Sequence, residues 1–159
     1  MFTIGGCAQV KYRVVGKPRV EVFTKRLELS SKAENDIIDI TEEVQRAVSE
    51  SRLSHGLAAV FVPGSTGAVT TMEYEPGLVK DLSSALDRVA PKVVTYEHQK
   101  RWHDDNGRSH VKASVVGPSL SVPFVDGRLT LGTWQQIVFV ELDIRPRERE
   151  IVVQVVGAA

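Results

Sequence analysis

The chain has 159 residues, 42% of them hydrophobic and 25% charged, and its 20 Lys+Arg are balanced by 20 Asp+Glu. The length suits one domain with a sizeable core, and the composition excludes a disordered chain. A neutral net charge argues against a nucleic-acid binder that works through bulk charge, and a lone cysteine (Cys7) excludes a disulfide scaffold.

No apolar run approaches the roughly 20 residues of a membrane span, so no membrane partner is expected. The first residues, MFTIGGCAQVKYRVVG, lack a charged start, an apolar block and a cleavage site. An unpaired cysteine suits a reducing compartment, and cytoplasm is the expected location. Residues 1–18 read as a loose arm or edge strand of a single domain covering 1–159.

Val20 to Leu29 alternates between apolar and charged residues and predicts a half-buried strand. DIIDITEEVQRAVSESRL predicts a short helix with Asp39 or Thr41 as cap, an apolar stripe of Val44, Ala47, Val48 and Leu53, and Gly56 as its end. Leu57 to Val62 is a short β-branched run and predicts a buried strand, broken at Pro63-Gly64. Gly67 to Met72 resumes as a strand, with Glu73 at its end. Pro76 to Ala90 carries apolar residues at helical spacing, with proline in the first turn.

Tyr96 to His110 has neither period and predicts a long polar loop. HVKASVVG, SLSVPFV, RLTLG, TWQQIVFVELD and EIVVQVVG then predict strands, with a two-residue hairpin at Asp126-Gly127. The expected class is α+β: a β-sandwich of mostly antiparallel strands with two helices.

The main chemical signal is the density of His, Asp and Asn in the long loop. His98, His103 and His110 stand there with Asp104, Asp105 and Asn106, while His55 precedes Gly56. Imidazole and carboxylate suit a divalent metal or acid–base work near neutral pH, although the spacing matches no standard metal motif. As a strand, HVKASVVG would place His110, Lys112 and Ser114 on one face, with Val111, Ala113 and Val115 packed inward. Glu141 is either solvated at a strand end, the favoured reading, or partly buried and paired. The PGSTG loop (Pro63 to Gly67) offers backbone N–H groups to an anion or is a plain turn. Arg145, Arg147 and Arg149 suit phosphate recognition or a solvated turn. Trp134 would stack on a planar ligand or fill a β core.

FVPGSTGAVTTMEYEPGLVKDL, followed by YEHQKRWHDDNGRSHVKASVVGPSLSVPFVDGRLTLGTWQQIVFVELDIRPRERE, resembles the YjbQ-like family, also called secondary thiamine-phosphate synthase. The resemblance runs from about Asp39 to Gly157. Its specific pieces are Asn106 to His110, Gly117 to Pro123, Asp126 to Gln135 and the arginine segment after Glu141. It implies a homotrimer with sites near subunit contacts and a weak thiamine-phosphate synthase activity. The family's polar positions map to Glu73, His98, Asn106, His110, Gln135 and Glu141.

On this reading Glu73, His98, His110 and Glu141 are the catalytic candidates, with His98 and His110 as ligands of a divalent metal, zinc or magnesium. Asn106, Arg108, Lys112, Gln135, Arg145 and Arg147 would hold a small phosphate or other anion. One departure stands out. The family pattern has a histidine after the proline, where this chain has Gly64.

Overall fold

The computed structural model describes residues 19–159. Cys7 and the expected N-terminal arm lie outside the described residues. The elements in chain order are β1 (Glu21–Ser31), β2 (Asp36–Asp39), α1 (Thr41–Ser51), β3 (His55–Phe61), β4 (Gly67–Met72), α2 (Pro76–Val89), α3 (Glu97–Trp102), α4 (Gly107–Val116), β5 (Ser119–Val125), β6 (Arg128–Leu129), β7 (Gln136–Glu141) and β8 (Arg147–Ala158).

They build two antiparallel sheets. The larger has the order β1-β8-β3-β5-β6, and the smaller has the order β2-β7-β4. Two apolar cores result. One lies between the large sheet, α1 and one face of the small sheet, and contains Val44, Val48, Val60, Phe124, Phe139 and Val153. The other lies between the opposite face of the small sheet and the helices α2 and α4, and contains Leu86, Ala113, Val138 and Val140. The small sheet is therefore covered on both faces. That is why β7 is a continuous apolar run, IVFV, rather than an alternating one.

The α+β sandwich is as expected, with four helices among the described residues where two were read. Residues 36–39 form a strand instead of opening the first helix, because Ile37 and Ile38 add to the edge of β7 opposite Val140 and Phe139. Asp39 still serves the helix start: its Oδ1 accepts from Thr41 N at 2.9 Å and from Thr41 Oγ1 at 2.6 Å. Gly56 does not end α1. Arg52 does so, in a left-handed conformation, and Gly56 lies within β3 opposite Gly157. A Cβ at Gly56 would come within 2.1 Å of the Val156 carbonyl oxygen, so this crossing of β3 and β8 requires glycine.

α2 begins at Pro76 as read, and Glu75 caps it by accepting from the N–H groups of Gly77 and Leu78. At the β5–β6 turn Asp126 (φ 51°) and Gly127 (φ 70°) both take positive φ, as a type I′ hairpin requires.

The largest correction concerns residues 97–116. The segment is two helices rather than a loop and a strand. In α4 the buried face carries Ser109, Lys112 and Ala113 at helical spacing, whereas Val111 and Val115 are 39% and 61% exposed. The inward and outward assignments made for a strand are reversed for these valines. The fully buried Lys112 is held by two carboxylates: its Nζ donates to Glu34 Oε1 at 2.7 Å and to Asp87 Oδ1 at 2.6 Å.

Candidate functional site

The turn between α3 and α4 brings two imidazoles together. His98 belongs to the first turn of α3 and His110 to the first turn of α4. Their ring centroids are 4.3 Å apart, with planes tilted by 41°. Gly107 permits this approach: a Cβ there would stand 2.5 Å from Tyr96 Cβ and 3.4 Å from His98 Cβ.

Two further polar groups complete the pair. His98 Nε2 faces Asp104 Oδ2 at 3.4 Å. With its amide nitrogen turned toward the carboxylate, Asn106 donates to Asp104 Oδ1 at 3.1 Å and lies 3.3 Å from His98 Nε2. Burial lowers the pKa of His110, the charge of His98 lowers it further, and Asp104 and Asp143 pull the other way. One ring is thus biased toward the neutral form while its neighbour contacts a carboxylate.

Behind this pair lies a second polar layer. Glu141 is fully buried at the end of β7, so it is paired rather than solvated as favoured above. Ser31 Oγ donates to Glu141 Oε2 at 2.6 Å, and Arg149 Nε donates to the same oxygen at 2.8 Å. Arg149 Nη2 also donates to Thr66 Oγ1 at 2.9 Å, and that hydroxyl donates to Asp143 Oδ2 at 3.1 Å. Arg147 Nε donates to Asp143 Oδ2 at 3.0 Å. Burial raises the Asp143 pKa, but the hydrogen bonds from Arg147 and Thr66, with the Arg147 charge, bring it below the usual carboxylate range. Asp143 connects the two layers through the field it exerts on His110.

The other expected residues are placed elsewhere or are already engaged. Arg108 holds Glu34 through Nε at 3.0 Å and Nη2 at 3.1 Å, and Lys112 is buried on the same carboxylate, so neither cation is free to meet an anion. Arg145 offers its backbone N–H to Asp143 Oδ1, and its exposed side chain makes no ion pair among the described residues. His103 ends α3 in a left-handed conformation and is exposed; His55 lies near Asp126 on another strand.

Glu73 and Gln135 stand at the far end of the small sheet. β4 and β7 pair Gly67 with Glu141 and Met72 with Gln136, so some six residues, about 20 Å of strand, separate Gln135 from Glu141. Gln135 bonds Thr71 Oγ1 at 3.2 Å at the edge of a cleft of about 310 Å³ that includes Ser119, Ser121 and Thr130 and no charged side chain. Trp134 beside it fills no core and is 71% exposed.

A divalent metal fits this arrangement poorly. A catalytic zinc keeps three protein ligands. Among the described residues no group of three or more His, Cys, Asp or Glu is arranged to hold an ion. Sequence reasoning missed Thr66, Asp143 and Ser31, whose types are common and whose roles depend on partners far along the chain. It named Arg149 only as part of a charged run.

Comparison with known proteins gives a consistent result. A family model described as "UPF0047 protein YjbQ-like" matches residues 25–158. A UPF0047 protein of Methanothermobacter thermautotrophicus is 38% identical over 138 residues, 87% of this chain and 94% of that one. UPF0047 protein YugU of Bacillus subtilis is 36% identical, covering 84% of this chain and 98% of YugU. The crystal structure of a YbjQ-like protein of unknown function from Sulfolobus solfataricus superposes with a TM-score of 0.81 at 31% identity, covering 87% of this chain and 99% of that one. With model, relatives and structure in agreement, this chain belongs to the YjbQ-like UPF0047 family.

Proposed function

We propose that the His98–His110 pair is a proton-handling site that acts on a small phosphate-bearing substrate. The observation that carries this is the contact of two imidazoles 4.3 Å apart, with His110 pushed toward the neutral form and His98 set against Asp104. The reaction that the family resemblance suggests is the joining of a pyrimidine diphosphate to a thiazole phosphate. The thiazole nitrogen attacks the pyrimidine methylene carbon through its lone pair, and the carbon–oxygen bond to diphosphate breaks. Diphosphate leaves with the bonding pair. In this reading His98, which faces Asp104 at 3.4 Å, would protonate that leaving oxygen. In the same reading His110 would accept a hydrogen bond from a substrate N–H.

Assembly as a homotrimer is part of the proposal. Val111 and Val115 are exposed on the helix that carries His110, and the exposed Trp134 neighbours Gln135. A neighbouring subunit seated on these side chains would bring the remote Glu73 and Gln135 toward the histidines. Sedimentation at a single-chain mass would remove this part of the reading. A shared metal would likewise need a ligand from the neighbour, so the assay is run with and without zinc or magnesium. Formation of thiamine phosphate from both precursors, lost by 10²–10⁴-fold in His98→Gln or His110→Gln, is the expected result. No product with either metal or without one would overturn the catalytic reading.

A second reading is a trimer that binds a small anion without turnover. The observation in its favour is Gly64, which stands where the family pattern has a third histidine. Saturable thermal stabilisation by the precursors without product is its signature.

A further inference from the structure

We infer that the uncharged cleft beside Gln135 is a binding site for a neutral, planar nitrogen heterocycle whose edge carries an N–H next to a carbonyl. The site shares no residue with the histidine pair and goes beyond the proton-handling reading.

The cleft forms where two strand edges part. β4 is the last strand of the small sheet, so one of its edges has no neighbouring strand. Thr66 C=O accepts from Leu142 N–H at 3.0 Å on the β7 side, whereas Val69 N–H donates to Gly117 C=O at 3.1 Å on the opposite side. Backbone groups alternate in side along a strand, so Val69 C=O and both backbone groups of Thr71 also point away from β7. None of these three has a partner among the described residues.

β5 repeats the pattern on the other wall. Val62 N–H donates to Pro118 C=O at 2.9 Å on the β3 side, and Thr130 N–H donates to Pro123 C=O at 3.0 Å on the other. The backbone N–H and C=O groups of Ser119 and Ser121 therefore face the β6 side, but β6 pairs only with Phe124 and Val125. They too have no partner among the described residues. The two edges touch at the Val69–Gly117 hydrogen bond, and Val69, Thr71, Ser119 and Ser121 line one cavity of about 310 Å³.

The lining selects the ligand. Each edge offers a carbonyl and, two residues on, an N–H: Val69 with Thr71, and Ser119 with Ser121. Such a pair matches an N–H beside a carbonyl on the edge of a ring. Val116, Leu120, Val122 and Leu131 supply apolar surface for the faces of the ring. No charged side chain lines the cavity, so an ion entering it would lose water without compensation. The volume lies at the lower end of small-molecule pockets, about 300–1,000 Å³, and suits a single ring. Val69 is 1% exposed, and an unpaired buried carbonyl is costly unless a ligand or water meets it. Gln135 Nε2 donates to Thr71 Oγ1 at 3.2 Å, which leaves its second hydrogen for a ring carbonyl.

Uracil is the probe, titrated into the full chain and followed by backbone amide shifts in NMR. Saturable shifts at Thr71 and Ser121 are expected. 1,3-Dimethyluracil keeps the ring and both carbonyls but has no N–H, and should bind about tenfold or more weakly. This comparison needs no variant, so it stands even where a substitution fails to fold. Ser121→Pro removes an edge N–H that serves no strand pairing, as Pro123 already lacks one two residues on. It should weaken uracil binding by about tenfold and leave Tm nearly unchanged. Thr71→Pro should do the same from the other wall. His98→Gln and His110→Gln should retain the binding, which separates this site from the proton-handling role. Absence of saturable shifts, or equal affinity for uracil and 1,3-dimethyluracil, would overturn the proposal. So would shifts at these amides with a blocked tripeptide and none with uracil, which would assign the edges to strand addition.

Discussion

Arg149 Nε donates to Glu141 Oε2 at 2.8 Å, joining the start of β8 to the end of β7 inside the protein. Removing one partner strands the other charge, and Glu141→Ala is expected to cost about 3–5 kcal/mol. Glu141→Gln keeps an acceptor for Arg149 and should cost clearly less. Urea denaturation midpoints compare the two; equal small losses would count against a tightly coupled pair.

Gly107 determines how near α3 comes to α4. Gly107→Ala places a methyl group against Tyr96 and His98, and overpacking of this kind costs about 1–3 kcal/mol. It should also move the rings apart and open the pair to water. The His110 titration, read by NMR, is then expected to rise toward the ordinary histidine value. A fully folded variant with an unchanged His110 titration would refute the steric role.

His110 makes stability depend on pH in a defined direction. Its native pKa lies below its unfolded value, so the unfolded chain takes up the proton first as the solution is acidified. Stability should fall as pH drops through about 6.5 and level off below the native pKa. Above 6.5 the contribution vanishes because both states are neutral. Urea midpoints from pH 8 to 5 should show this fall, and His110→Gln should flatten it.

Glu34 gives a dependence of the same sign at lower pH. Burial raises its pKa, but hydrogen bonds from Arg108 and Lys112 with their charges bring it down to about 2. Its stabilisation is present above the ordinary value of 4.5 and is lost as pH falls toward about 2. Glu34→Gln should remove this acid-sensitive component. Lys112→Met should remove part of it, and a double-mutant cycle on the two positions should show a coupling of about 1–3 kcal/mol.

The strands were largely legible because their periods match their surroundings. β1 alternates since one of its faces is exposed, and the Asp126-Gly127 turn carries its own conformational signature. α4 was illegible for a specific reason. Its buried face includes Lys112, and its exposed face includes Val111 and Val115, so hydrophobicity marks the wrong side and β-branched residues mimic a strand. The ion pairs that justify a buried lysine come from Glu34 and Asp87, which no local window contains. In the site, the imidazoles were conspicuous by type. Their contact depends on Gly107, and the Arg149–Thr66–Asp143 chain depends on the crossing of three separate segments.

One ammonium group links the β1–β2 loop, α2 and α4, through Glu34, Asp87 and Lys112. Such a junction needs all three pieces docked, so it is expected to form after the rate-limiting step of folding. Its loss should then act mainly on the lifetime of the native state. Lys112→Met is expected to unfold faster in stopped-flow experiments while refolding at nearly the wild-type rate.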